Sequence, residues 1–418
     1  MIVPSIDLMG GQAVQLIGGK ERAIEAGDPR PIAESFRLAG EVAVIDLDAA
    51  LGQGNNADLI RELVRIAPCR VGGGIRDVET AIAWLDAGAA KIILGTAAKP
   101  EILKELPGER VIAALDAVRG EVVTHGWTTK TGATVEDRMA ELKGLVGGFL
   151  VTFVEREGRM EGIDIEAIER LKQAAGDCAL TVAGGFTTAD DIAAADRLGA
   201  DAQVGMALYS GRLHLADAIA APLVSDRADG LWPTVVTDEY GVALGLAYSD
   251  PESLRTAVDG KAGAYHSRLR GLWIKGKTSG ATQELLKIDL DCDRDTLRFT
   301  VRQTPPGFCH LESHTCWGDA HGLPALARLI ADRRATAPEG SYTARLFDES
   351  GLLDAKLLEE ARELVGAQGA AEVTHEAADL IYFTLAAMAR AGVDLAGVER
   401  ELERRSRRLT RRPGNKKS

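Results

Sequence analysis

Apolar positions along this chain follow three successive patterns. From Met1 to about Asp226, short apolar runs alternate with glycine-containing turns and amphipathic stretches; Val42-Ala43-Val44-Ile45, Lys91-Ile92-Ile93-Leu94, Val111-Ile112-Ala113-Ala114-Leu115 and Leu180-Thr181-Val182-Ala183 are examples. The alternation predicts a parallel α/β fold, and the number of units predicts an eight-stranded (β/α)8 TIM barrel over 1–226. After Arg227 the pattern turns β-rich and aromatic, with Leu297-Arg298-Phe299-Thr300-Val301 as a strand and Pro305-Pro306-Gly307 as a loop. A small β-rich α+β domain is expected over 227–322. From Leu323 apolar residues fall three and four apart, notably over 355–364 and 377–388, which predicts an all-α domain over 323–403. A basic tail, 404–418, follows.

An internal repeat sharpens the barrel assignment. Gly72-Gly73-Gly74-Ile75-Arg76 followed by Ile93-Leu94-Gly95-Thr96-Ala97 returns as Ala183-Gly184-Gly185-Phe186-Thr187 followed by Gln203-Val204-Gly205-Met206-Ala207, at an offset of about 110 residues, half a barrel. Asp7 has its counterpart in Asp116 at nearly the same offset. Glycines at strand ends let backbone N–H groups approach a phosphate closely. Two such sites related by the repeat predict a substrate with a phosphate at each end. Asp7 and Asp116, at the carboxyl ends of the first and fifth strands, then face each other across the mouth and could divide base and acid duties.

These stretches, with Pro4-Ser5-Ile6-Asp7-Leu8, Gly95-Thr96-Ala97-Ala98, Leu115-Asp116-Ala117 and Gly126-Trp127, resemble the phosphoribosylformimino-aminoimidazole carboxamide ribotide isomerase family. The resemblance implies an Amadori rearrangement of an aminoaldose to an aminoketose. Asp7 would move the proton at C2, Asp116 would protonate the ring oxygen, Trp127 would stack on the imidazole and Thr152 would position the opened sugar. Gly73, Gly74, Arg76, Gly95, Thr96, Gly184, Gly185 and Gly205 would hold the phosphates. Two positions depart from the family: Arg156-Glu157-Gly158-Arg159 replaces its Arg-Asp-Gly-Thr loop, and Gln15 replaces an Arg. The sister cyclase barrel shares both aspartates, but Gly126-Trp127 favours the isomerase.

In the second segment Asp291-Cys292-Asp293-Arg294-Asp295 precedes Cys309-His310 and Cys316. If the run is a strand, Asp291, Asp293 and Asp295 share one face and Cys292 takes the other. Carboxylates suit Mg²⁺ and thiolates Zn²⁺. Three thiolates leave a fourth position for water, as in a catalytic zinc; His310 or His314 as fourth ligand would make it structural. Tyr265-His266-Ser267-Arg268, the run from Leu272 to Gly280, and the Asp-Cys-Asp-Arg-Asp motif resemble phosphoribosyl-AMP cyclohydrolase. That family opens the adenine ring with zinc hydroxide and takes its zinc cysteines from both subunits of a dimer. The resemblance makes His266 and His310 proton shuttles and Lys275, Thr278 and Ser279 substrate contacts. Gly271 to Thr278 also fits P-loop spacing, but a P-loop needs a following helix and a less apolar interior than Leu272-Trp273-Ile274.

In the third segment Glu359, Glu360 and Glu363 lie on one expected helix, with Glu376 and Asp379 on the next. Such spacing gathers carboxylates fit for Mg²⁺ on a polyphosphate, and Ala377, Ala378, Leu380 and Ile381 predict a mostly buried second helix. With Pro338-Glu339-Gly340-Ser341-Tyr342-Thr343 and Lys356, the segment resembles phosphoribosyl-ATP pyrophosphohydrolase, a helical, MazG-like family that works as a dimer with Mg²⁺. The family's His after Tyr382 is Phe383 here.

Composition narrows the picture. A net charge of -13 argues against a nucleic-acid binder, and the chain has no apolar run of membrane-spanning length and no signal-peptide pattern at its amino terminus, so a cytoplasmic location is expected. Five cysteines, with Cys69 and Cys178 isolated beside apolar runs, do not form a disulfide framework. The basic tail reads as a solvated extension. The three resemblances imply a trifunctional histidine-biosynthesis enzyme acting on phosphoribosyl nucleotides, as a homodimer through its second and third domains. Two other readings stay open: one domain, the barrel foremost, is an inactive scaffold, or the barrel also isomerises phosphoribosylanthranilate.

Overall fold

A computed structural model describes the chain except residues 20, 119, 125–128, 339, 350 and 411–418. Eight parallel strands close a barrel in chain order: Ile2–Met9, Val42–Asp46, Cys69–Gly72, Lys91–Leu94, Val111–Val118, Gly148–Phe153, Ala179–Ala183 and Ala200–Val204, the last pairing back onto the first. Each expected strand forms because its apolar run is buried on both faces, as parallel strands under helices require. Two strands run on into antiparallel excursions. The first pairs with Gln12–Ile17, which pairs with Glu21–Gly27, and the fifth pairs with Glu121–Thr124. Asp7 and Asp116 therefore lie inside long strands, near where the barrel proper ends.

The barrel floor is apolar, built from Ile93, Ile112, Leu150 and Ala183 with Ile45 and Ala114 against them. The amino-terminal end is tied by charge. Arg70 on the third strand reaches Glu41 at 2.6 Å, Asp201 at 3.2 Å and the Thr181 hydroxyl at 2.8 Å, and Lys91 joins Glu41 at 2.9 Å.

The chain forms two compact units. The larger holds the barrel, most of the second segment through Pro305, and residues 407–410 of the tail. The second segment forms a four-stranded sheet ordered Ala243–Ser249, Trp232–Asp238, Leu297–Gln303, Gln283–Leu290, with a separate hairpin of Ala264–Ser267 and Gly271–Ile274. Tyr265 is fully buried, its hydroxyl donating to Gln283 at 2.6 Å and its ring against Phe299 and Trp273. The tail start is not merely solvated: Asp86 accepts from the backbone of Leu409 at 2.7 Å, and Arg110 donates to the Arg407 carbonyl.

The smaller unit comprises Glu239–Leu244 and Pro306–Ser406. Its helices are Gly322–Thr336, Tyr342–Asp348, Leu352–Gly366, Ala370–Ala391 and Leu395–Ser406, packed on Ile330, Leu346, Leu353, Phe383, Leu385 and Ala386. The expectation of a mostly buried second acidic helix is corrected. Within this chain only Phe383, Leu385 and Ala386 of Ala370–Ala391 are buried, while Ala378 and Ile381 are exposed.

Candidate active sites

The barrel mouth encloses a cavity of about 1230 Å³ at the carboxyl ends of the strands. Asp7, Asp116, Thr152 and Glu157 line it together with Gly73, Gly74, Arg76, Gly95, Thr96, Gly184, Gly185 and Gly205. Asp7 and Asp116 stand four strands apart in a ring of eight, so they occupy opposite walls. Thr152 is in register beside Asp116 on the next strand and is buried. Asp7 keeps part of its surface open to the cavity, yet protein surrounds it. That burial pushes its carboxyl up to about 6, against a Ser5 hydroxyl donating at 3.1 Å.

Glu157, which sequence reasoning treated only as a departure from a loop motif, is a third member of this centre. Burial first, then the charges of Asp7 and Asp116, pushes its carboxyl up to about 8. Its Oε2 is buried with no hydrogen-bond partner among the described residues. The loop is clasped to the first-strand excursion: Gly18 N–H donates to the Glu157 carbonyl at 3.3 Å, and a Cβ on Gly158 would lie 2.5 Å from the Leu16 carbonyl oxygen. A carboxylate swapped for a longer one reads as conservative in sequence, and only the closed barrel shows what it faces.

The repeated glycine pairs are required by the backbone as well as suited to a phosphate. Gly73 and Gly184 have φ of 92° and 93°, and a Cβ would lie 2.2 Å from the Asp46 carbonyl oxygen and 2.6 Å from that of Phe153. Gly205 is overlain by the buried Gln15, whose Nε2 donates to the Val14 carbonyl. Arg76 donates to the carbonyls of Ala49 and Ala50 in the short helix Leu47–Leu51 that follows the second strand. Trp127 lies outside the described residues.

In the second segment Asp291, Asp293 and Asp295 do converge, with carboxylate oxygens within 4.8 Å of one another. Strand alternation is not the cause, which corrects the expectation. Residues 291–296 form a tight loop between Gln283–Leu290 and Leu297–Gln303. Asp291 Oδ1 accepts from the backbone of Asp295 at 3.0 Å and Thr296 at 3.1 Å, closing the turn, and Arg294 adopts φ of 65°. Modest burial works against ionisation of Asp291, but those N–H donors hold its carboxyl below the usual range. Cys292 is exposed on the same loop.

Cys309 and Cys316 belong to the smaller unit and Cys292 to the larger. The Leu311 N–H at 3.5 Å, then the Ser313 hydroxyl, hold the Cys309 thiol below its usual value, and His310 Nδ1 lies 3.9 Å from its sulfur. By contrast, burial pushes Cys69 up to about 12, fitting an inert core thiol. His266 Nδ1 is 2.7 Å from Asp250, itself the cap of helix Pro251–Gly260. Lys275 is buried and donates to the Ala281 carbonyl at 3.1 Å, whereas Thr278 and Ser279 are exposed in the turn. That turn follows a hairpin strand and leads into no helix, which removes the P-loop reading.

In the helical unit Glu360, Glu363 and Glu376 place carboxylate oxygens within 4.8 Å of one another, Glu360 being buried. Glu359 and Asp379 are drawn elsewhere, to Lys356 at 2.9 Å and His375 at 3.6 Å. A side chain one turn away on the same helix competes with the cluster for each. Lys356 also reaches Glu360 at 3.5 Å and sits 5.9 Å from the centre of the Phe383 ring. Phe383 thus packs in the core and under the lysine where the resembled family has a His.

The model of the histidine biosynthesis protein family matches residues 1–214, more than half of the chain. The chain belongs to the histidine biosynthesis protein family. Beyond that barrel, the phosphoribosyl-AMP cyclohydrolase model matches residues 245–318 and the phosphoribosyl-ATP pyrophosphohydrolase model residues 323–406. An imidazole-4-carboxamide isomerase of Methanocorpusculum labreanum is 39% identical, over 53% of this chain and 98% of its own length. A histidine biosynthesis trifunctional protein of Neurospora crassa is 50% identical over 50% of this chain and 24% of its own. A histidine biosynthesis bifunctional protein of Schizosaccharomyces pombe is 49% identical over 49% of each. The chain therefore spans a quarter to a half of the length of these fungal relatives.

Each histidine-biosynthesis domain carries its own cluster of acidic or thiol groups. Oxygen donors at the Asp291–Asp295 loop and at Glu360, Glu363 and Glu376 suit hard cations, and the cysteines suit a softer metal. Among the described residues no single helix is long and apolar enough to cross a membrane.

Proposed function

We propose that this chain performs three successive reactions of histidine biosynthesis: hydrolysis of phosphoribosyl-ATP to phosphoribosyl-AMP and pyrophosphate, opening of the adenine ring, and Amadori rearrangement of the resulting aminoaldose. The barrel mouth carries the reading, because two glycine pairs half a barrel apart flank Asp7 and Asp116 in one cavity. Backbone N–H groups at Gly73–Gly74 and Gly184–Gly185, with Gly95, Thr96 and Gly205, hold the two phosphates and fix the sugar between the carboxylates. Asp116 delivers a proton to the ring oxygen as the C1–O bond opens to the iminium. Asp7, with its carboxyl near 6, is ionised at neutral pH and takes the C2 proton, giving an enol that tautomerises to the ketone. Glu157, protonated at that pH, keeps a proton beside both without adding a third negative charge. Thr152 positions the opened chain beside Asp116, and Trp127 stacks on the imidazole.

For ring opening, Cys292, Cys309 and Cys316, drawn from both subunits of a dimer as in the resembled family, would hold a zinc ion, which when bound would supply an activated water near neutral pH. Asp250 fixes the ring of His266 through Nδ1, so Nε2 is presented for proton transfer, and His310 serves beside Cys309. Asp291, Asp293 and Asp295 fit Mg²⁺. For pyrophosphate release, Glu360, Glu363 and Glu376 would hold Mg²⁺, which would neutralise charge on the polyphosphate, with Glu359, Asp379 and Lys356 at the rim. Exposed Leu358, Val365, Val373 and Ile381 support a homodimer closing on the helical domain, Val365 being 89% exposed. The acidic balance fits a cytoplasmic enzyme that binds neither nucleic acid nor membrane.

The test is to give purified, Zn²⁺- and Mg²⁺-loaded protein phosphoribosyl-ATP and follow products by mass. Pyrophosphate and the ribulosyl isomer are expected. Accumulation of phosphoribosyl-AMP would overturn the ring-opening assignment, and a stall at the formimino aldose would make the barrel a scaffold.

A further inference from the structure

Arg294 sits inside the Asp291–Asp295 loop, yet its guanidinium is claimed by the barrel. Nε and Nη2 form a fork on Asp196 at 3.0 and 3.1 Å, and Nη1 donates to the Asp291 carbonyl at 2.8 Å. Asp196 lies in the last turn of barrel helix Ala189–Arg197 and also accepts from the Met1 amino group at 2.7 Å. The Arg294 carbonyl is held too, accepting from Val224 N–H at 2.8 Å in the segment that leaves the barrel. Arg294 keeps a left-handed backbone, φ 65°, that a long side chain rarely adopts. A loop that must bring three carboxylates within 4.8 Å against their mutual repulsion needs such an external anchor.

We propose that Asp196 of the barrel, through its fork to Arg294, is a positioning residue for the cation-binding loop of the second domain, so that the barrel preorganises a site other than its own. The proposal rests on the reading of that loop as a divalent-cation site. Outer-shell partners of this kind set how closely ligands are held before the ion arrives, and their loss commonly costs roughly 10–100-fold in affinity.

The experiment titrates Mn²⁺ into the full zinc-loaded chain, reading free Mn²⁺ by electron paramagnetic resonance. A Glu360→Gln, Glu376→Gln background silences the helical cluster. Asp196→Asn and, separately, Arg294→Lys, which keeps the charge but loses the fork, are each expected to weaken the remaining Mn²⁺ site about tenfold or more. Asp196→Glu should recover part of the loss, and isomerase turnover of Asp196→Asn should match the parent. Unchanged Mn²⁺ affinity in both Asp196→Asn and Arg294→Lys, with Asp293→Asn abolishing binding, overturns the positioning role. Mn²⁺ binding that survives Asp293→Asn instead overturns the cation-loop reading itself.

Discussion

Replacing Glu157 by Gln should stabilise the barrel, by an amount that depends on pH in a defined direction. In the folded state burial and the neighbouring aspartates raise the Glu157 carboxyl from 4.5 to about 8, so between those values the native protein holds a proton that the unfolded chain has released. Stability therefore falls as pH rises through that window, is unaffected by this group below about 4.5, and levels off above about 8. At pH 7 the cost is about 3 kcal/mol, taking roughly 1.4 kcal/mol for each pH step above the unfolded value. Gln keeps the shape, cannot ionise and removes the cost. Denaturant unfolding of the barrel at pH 5 and pH 7.5, parent against Glu157→Gln, should show little difference at the lower pH and a gain of about 2–4 kcal/mol at the higher. Isomerase activity should drop, because the proton held beside Asp7 and Asp116 is lost to exchange. A gain equal at both pH values, or none at pH 7.5, would refute the raised carboxyl and with it the three-carboxylate centre.

Three further outcomes are expected. Ser5→Ala removes the hydrogen bond that favours ionised Asp7; the acid limb of isomerase kcat/KM should move from about 6 to about 7, a loss of about fivefold at pH 6 and almost none at pH 8.5. Cys309→Ser should stop the reaction sequence at phosphoribosyl-AMP while pyrophosphate still appears and the barrel still isomerises its own substrate; product mass spectra check this. Leu346→Ala, in the fully buried heart of the helical unit, should cost about 2–5 kcal/mol there and leave the barrel transition in place, as calorimetry would resolve.

The sequence by itself determined the elements and the residue types of each site. Apolar runs such as Lys91–Leu94 are strands because continuous burial is their only stable setting. The half-barrel repeat placed Asp7, Asp116 and both glycine pairs at one mouth because strand order in a closed barrel follows chain order. Tertiary structure decided which charges face which. Glu157 joined the acidic centre only through a loop clasped by Gly18, and Glu359 and Asp379 left the helical cluster for Lys356 and His375. Asp291, Asp293 and Asp295 met through a turn rather than a strand, with Arg294 anchored to an aspartate 98 positions away. Periodicity reports the burial of a face within one element; the partner of a charge depends on distances between elements, which no local pattern encodes.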